Sequence, residues 1–190
     1  MENFTTVYSK PQAVTMLLTN DCNLACSYCF ESNKGKDYMP KEMALDILKA
    51  TYNQVDPMAG IFTLNMFGGE PLMNWDTFKA VCDYVLENNL KIRITATTNM
   101  TLLTDEMIDY IDELSIPVLV SVDGIKEVHD KHRCNSFDKV IENMKKLIDR
   151  DLGYLIEARM TVAPDTAKYM YESVKMLVDL GINNIANVPA

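Results

Sequence analysis

No apolar run in these 190 residues approaches the roughly 20 that a membrane-spanning helix needs. The N-terminus, Met1-Glu-Asn-Phe-Thr-Thr6, also lacks the basic stretch and apolar core of a secretory signal. Both absences predict a cytoplasmic protein with no membrane partner. Basic residues are in deficit: 18 Lys and Arg face 27 Asp and Glu, a formal charge of −9, and no basic cluster stands out. Binding nucleic acid requires a basic stripe to neutralise phosphates, so that function class is set aside. Histidine is scarce, with His129 and His132 the only two. There is no low-complexity linker, and the 48% apolar and 24% charged composition is that of one ordinary globular domain, read here as residues 1–190.

Cysteine is what the chain does concentrate. Three of its five cysteines fall within eight residues, Cys22-Asn-Leu-Ala-Cys26-Ser-Tyr-Cys29. An odd number crowded into one loop suits metal binding in a reducing compartment better than a disulfide framework. A CxxxCxxC loop brings three thiolates to one place, which leaves one iron of a four-iron cluster without a protein ligand. An open coordination position marks a reactive centre, by the logic that separates catalytic from structural zinc. The competing reading is a structural zinc or ferredoxin-like site, which needs a fourth ligand. Cys82 lies on the apolar face of a helical segment and reads as a core residue, while Cys134 reads as a loop or packing thiol. Either histidine could complete a Cys3His site; otherwise both belong to a loop or a helix start.

Apolar β-branched runs alternate with segments of helical periodicity from Val14 onward. Strands are predicted at Val14–Thr19, Ile61–Phe67, Ile92–Thr97, Val118–Val122, Ile156–Val162 and Asn184–Val188. Helices are predicted after Pro40, Asn74, Thr104, Ser136 and Asp165, the second of them burying Phe78, Val81, Cys82, Val85 and Leu86. Such alternation implies a parallel sheet, either doubly wound or a partial barrel. Functional groups in parallel α/β folds collect at the carboxyl ends of the strands. The first four strands end in the cysteine loop, in Gly68-Gly69-Glu70-Pro71, in Thr97-Thr98-Asn99 and in Ser121-Val122-Asp123-Gly124. All four belong on one rim. Glu157 and Arg159 share the polar face of the fifth strand, which in a barrel points inward, to help bind substrate or to pair with each other.

The cysteine spacing, the Gly-Gly-Glu-Pro after the second strand and the order of the later motifs resemble the radical S-adenosylmethionine (SAM) enzymes. Thr98-Asn99 with Leu102-Leu103, Ser121-Val-Asp-Gly124 and His129-Asp-Lys-His-Arg133 look most like the sulfatase-maturating and peptide-modifying branch. The resemblance implies a partial (β/α)6 barrel in which Cys22, Cys26 and Cys29 hold three irons of a 4Fe-4S cluster and SAM chelates the fourth. It implies SAM contacts from the backbone around Gly68, Gly69 and Glu70, with Asn99 and Asp123 in the same motifs. Ser121 and Arg133 would meet the SAM carboxylate and ribose, with Tyr28 and a sixth-strand residue near Ile185 beside the adenine. Arginine suits a carboxylate because its fork donates two parallel hydrogen bonds. The implied partners are a peptide or protein substrate and an electron donor such as flavodoxin or ferredoxin.

Members of that branch continue past the sixth strand into a final helix and an auxiliary-cluster region, whereas this sequence stops at Ala190. The expectation is therefore the cofactor-binding part of a longer enzyme. Met100 stands where glycine is common after Thr-Asn, and Ile125 where proline often follows Asp-Gly. The alternatives to an enzyme are a non-catalytic module that binds SAM or a peptide, and a structural zinc protein.

Overall fold

A computed structural model describes residues 12–31, 34–54 and 61–190. Its six strands are β1 (Ala13–Thr19), β2 (Phe62–Gly68), β3 (Ile92–Thr98), β4 (Val118–Ser121), β5 (Ile156–Val162) and β6 (Asn184–Pro189). They form one sheet in the order β1-β2-β3-β4-β5-β6 with every neighbouring pair parallel. Sequential order decides between the two architectures left open above, because a doubly wound sheet reverses direction at a switch point. The fold is a partial (β/α)6 barrel whose edge strands, β1 and β6, leave one side open.

Helices α1 (Lys41–Tyr52), α2 (Trp75–Glu87), α3 (Asp105–Glu113), α4 (Lys126–His132), α5 (Phe137–Asp149) and α6 (Met170–Asp179) accompany the strands. Alternate strand residues divide between two faces. Met16, Leu18, Leu64, Met66, Ile94, Ala96, Val118, Val120, Ala158 and Met160 are buried on the helix side, where they join Leu48, Phe78, Val81, Ile108, Met144 and Leu147 in a single core. The other face turns inward and is largely polar. One row of it carries Thr15, Asn65 and Thr95, in register across β1, β2 and β3 and joined by hydrogen bonds of 3.3 and 2.6 Å.

Local sequence explains most helix starts. Thr104 accepts a hydrogen bond from the Met107 amide as an N-cap. Two expected caps do other work. Asn74 Nδ2 donates to the carbonyls of Leu18 and Met39, at 2.8 and 2.9 Å, fastening α2 to the loop after β1. Ser136 Oγ donates to the Arg133 carbonyl, and Asp130 Oδ1 takes the Phe137 amide in its place. Leu86, expected in the core, is 39% exposed in the last turn of α2. The sixth helical segment begins as a 3₁₀ turn, Ala167–Tyr169, before α6. Among the described residues no helix is long and apolar enough to cross a membrane.

Candidate functional site

The loop after β1 is fixed from three sides. The amides of Gly69 and Glu70 donate to the Thr19 and Asp21 carbonyls, at 2.9 and 2.8 Å. Ser27 N donates to the His132 carbonyl at 3.0 Å, docking the loop on the end of α4. Asn99 Nδ2 bonds Asn23 Oδ1 at 2.8 Å and lies 3.9 Å from Cys22 Sγ. Gly68 has φ +145°, and a Cβ there would sit 2.2 Å from the Thr19 carbonyl oxygen. Only glycine lets β1 and β2 approach so closely at the mouth of the barrel.

Cys22, Cys26 and Cys29 line one cavity of about 390 Å³ at the carboxyl end of the sheet. Tyr28, Gly68, Gly69, Asn99, Ser121 and Arg133 line it too, so six of the nine expected cofactor residues meet the three cysteines at one place. Glu70, Asp123 and Ile185 do not.

Glu70 is fully buried behind the wall. Its carboxylate accepts from the Leu72 amide at 3.0 Å, Thr98 Oγ1 at 2.8 Å and the Asn99 amide at 2.7 Å. The side chain thus ties the end of β2 to the end of β3. Burial pushes its carboxyl up from 4.5 to about 7, against the three hydrogen bonds that favour the charged form. Because the folded value lies above the unfolded one, the folded protein keeps a proton that the unfolded chain releases between pH 4.5 and 7. Stability contributed below that window is lost as pH rises through it, by roughly 3 kcal/mol in all. Urea unfolding of the metal-free protein near pH 5 and near pH 8 should show this loss, and Glu70→Gln, which cannot ionise, should flatten it.

Asp123 is 2% exposed and acts as a hub. It receives Arg133 Nε at 2.9 Å, Arg133 Nη2 at 3.1 Å, the Thr161 amide at 2.8 Å and the Tyr28 hydroxyl. Burial, with the carboxylate beside it, holds the Tyr28 phenol far above its ordinary pKa, so it serves as a hydroxyl donor. The Arg133 guanidinium lies 5.2 Å from the Tyr28 ring centroid, a cation–π contact that adds to the same tie. The fork anticipated for a SAM carboxylate is therefore already engaged by Asp123, with Nη2 also reaching Thr161 Oγ1 at 3.3 Å.

Ile185 pairs in register with Ala158, whose side chain is buried on the helix side, and it packs against the core. Val188, in register with Thr161, lines the cavity instead. A shift of three residues along a strand exchanges faces, which is the physical reason the expected residue points away.

Neither histidine is a candidate metal ligand. His129 is fully buried, with Nδ1 facing the Asp123 amide at 3.4 Å and Nε2 facing Ser136 Oγ at 2.9 Å. Burial and then Arg133 push its pKa down to about 4, leaving a neutral ring that braces the turn carrying Arg133. His132 Nδ1 meets Ser27 Oγ at 2.6 Å on the outside of the cysteine loop. Cys82 is buried in the core as expected, and Cys134 is exposed, its sulfur accepting from the Ala25 amide at 3.2 Å. Among the described residues no three Cys, His, Asp or Glu side chains converge on one ion-sized point.

The cavity wall also includes Thr97 and Arg159, which the third strand's end motif and the polar face of the fifth strand marked, and Phe67, Thr161 and Val188, which no sequence motif singled out. The signal for Phe67 and Thr161 is the period of two: each sits on the inward face of its strand, next to a buried residue on the other face. β6 has no buried residue, so its pattern does not mark Val188, which is placed by its pairing with Thr161.

The Radical SAM superfamily model matches residues 16–177. An uncharacterised protein of Methanocaldococcus jannaschii is 30% identical over 177 residues, covering 89% of this chain and 59% of that protein. The cysteine-type anaerobic sulfatase-maturating enzyme of Clostridium novyi is 28% identical over 155 residues, covering 72% of this chain and 41% of that enzyme. The solved structure of native anSMEcpe with bound AdoMet and the Cp18Cys peptide superposes with a TM-score of 0.82 at 22% identity, over 93% of this chain and 50% of that one. This chain thus spans about half the length of the relatives it matches.

Proposed function

Because this chain belongs to the radical SAM superfamily, we propose that it is the cofactor-binding core of a radical SAM enzyme that modifies a peptide or protein. One observation carries the reading: the three cysteines share a cavity with Gly68, Gly69, Asn99, Ser121 and Arg133. Cys22, Cys26 and Cys29 would hold three irons of a 4Fe-4S cluster, and their donor chemistry fits it, with soft thiolates beside a cavity large enough for a further ligand. When bound, cluster and SAM together supply reductive cleavage to methionine and a 5′-deoxyadenosyl radical, which takes a hydrogen atom from the substrate.

The protein's own residues position and enclose. Gly68 and Gly69 allow backbone to approach the SAM methionine end. Ser121 and the edge of the Arg133 guanidinium that Asp123 and Thr161 do not hold serve the carboxylate and ribose. Tyr28, held by Asp123, walls the adenine side with Val188 in the place expected for Ile185. Glu70 keeps the glycine turn and Asn99 in one piece. The gap between β1 and β6 admits a bulky substrate, and the AdoMet and peptide bound together in anSMEcpe support a polypeptide. A small electron donor such as flavodoxin or ferredoxin would reduce the cluster.

Anaerobic reconstitution tests the cofactor assignment. The protein should take up about four irons and four sulfides per chain, and the electron paramagnetic resonance spectrum of the reduced cluster should change when SAM is added. Stoichiometric zinc uptake with no cluster would favour the structural-zinc reading. A cluster indifferent to SAM would favour a non-catalytic peptide-binding module.

A further inference from the structure

The inward face of β5 carries a charged pair that the cofactor reading leaves without a task. Arg159 Nη2 donates to Glu157 Oε1 at 3.2 Å, and Asn184 Nδ2 from β6 steadies the other carboxylate oxygen at 3.3 Å. Arg159 Nε is buried and has no hydrogen-bond partner among the described residues. With Nε closed off by the protein's own atoms, the terminal nitrogens of the guanidinium are the donors that a ligand can reach. Its surroundings leave room for that: in register beside Arg159 stand Ser121 on β4 and Ala186 on β6, both small. The side chain remains 43% exposed, and Arg159 lines the same cavity as the cysteines.

The two arginines in the wall differ in what they can offer. Arg133 is neutralised by a bidentate pair with Asp123. Arg159 has a single contact to Glu157, which lies one inward-facing position deeper in the barrel, toward the start of β5. Its remaining donors form a planar fork suited to a carboxylate.

We propose that Arg159, oriented by Glu157 and Asn184, binds a carboxylate of the substrate, so that the substrate class is a peptide with an acidic side chain at the modified segment. This rests on the reading of the cavity as a radical SAM active site. Glu157 keeps the guanidinium aimed across the cavity before substrate arrives, limiting the ordering cost of binding.

The test uses the cluster- and SAM-loaded protein and two neutral-ended peptides, acetyl-Ala-Glu-Ala-amide and acetyl-Ala-Gln-Ala-amide, titrated calorimetrically at up to millimolar concentration. The glutamate peptide should bind about tenfold more tightly to the wild type, the yield of one charge-assisted hydrogen bond. Arg159→Met should bring the ratio to one. Arg159→Lys, which keeps the charge and most of the packing but loses the fork, should leave a reduced preference and covers the case in which the methionine variant folds poorly. Equal or absent binding of the two peptides by the wild type, or a ratio that survives Arg159→Met, overturns the assignment. Wild-type 5′-deoxyadenosine formation is measured first. Its failure counts against the functional reading, whereas a flat peptide ratio on active protein counts against Arg159 alone.

Discussion

Cys26→Ala protein, reconstituted with iron and sulfide, should show no 4Fe-4S absorbance and no SAM cleavage, while Cys82→Ala should retain both. The two cysteines share an element, sulfur, and nothing else. Cys26 lies in the loop after β1 with its side chain on the cavity, next to the residues proposed to receive SAM. Cys82 is wholly buried in α2 among Phe78, Val81 and Val85, where burial holds its thiol strongly protonated. On the proposed reading, removing one of three thiolates would take away a cluster corner that Cys134 is not placed to replace, since its sulfur is on the Ala25 amide and it does not line the cavity. Removing Cys82 deletes a small apolar group and should cost about 1 kcal/mol, read as a lower urea midpoint with normal spectra. Cluster formation by Cys26→Ala would show that the loop is not the cluster's anchor.

Asp123→Ala should be the most destabilising single change outside the apolar core, by about 3–5 kcal/mol in urea unfolding. The carboxylate is the shared acceptor for Arg133, the Thr161 amide and Tyr28, which come from α4's end, β5 and the cysteine loop. Its loss strands a buried guanidinium and a part-buried amide at once, and breaking a buried pair from one side costs far more than the pair's net contribution. Asp123→Asn keeps the shape and part of the hydrogen bonding, so it should lose less. The double variant Asp123→Ala/Arg133→Met should recover part of the loss, because no uncompensated charge remains. A single-variant loss below about 1 kcal/mol would mean that Arg133 finds other partners and that Asp123 is not the hub.

Much of this site was legible in the sequence because its signals are local. The cysteine spacing, the Gly-Gly pair and the strand that precedes each motif occupy consecutive residues, and a parallel α/β fold places strand ends on one rim. The register of β5 was read correctly because Ile156, Ala158, Met160 and Val162 alternate cleanly with polar residues. The face of β6 was not: Asn184-Ile-Ala-Asn-Val-Pro189 has no such alternation, and only its pairing with β5 shows that Val188 rather than Ile185 turns inward.

What stayed hidden depends on contacts between distant segments. Glu70 reads as part of a turn, yet its side chain bonds Thr98 and Asn99 on the next strand. Asp123-Gly124 also reads as a turn, and nothing near it in sequence announces that Tyr28 and Thr161 come to its carboxylate. His129 looked like a loop or helix-start residue because α4 is only seven residues long, too short to display a buried face. These residues form the layer behind the cavity wall. They hold the wall in shape without facing the cavity.

The most direct test of the central claim is 5′-deoxyadenosine formation by the reconstituted wild-type chain after dithionite reduction in the presence of SAM, followed anaerobically by chromatography and mass spectrometry. 5′-Deoxyadenosine and methionine should form in equal amounts, dependent on both reductant and cluster. A fully loaded, reduced cluster that leaves SAM intact would contradict it.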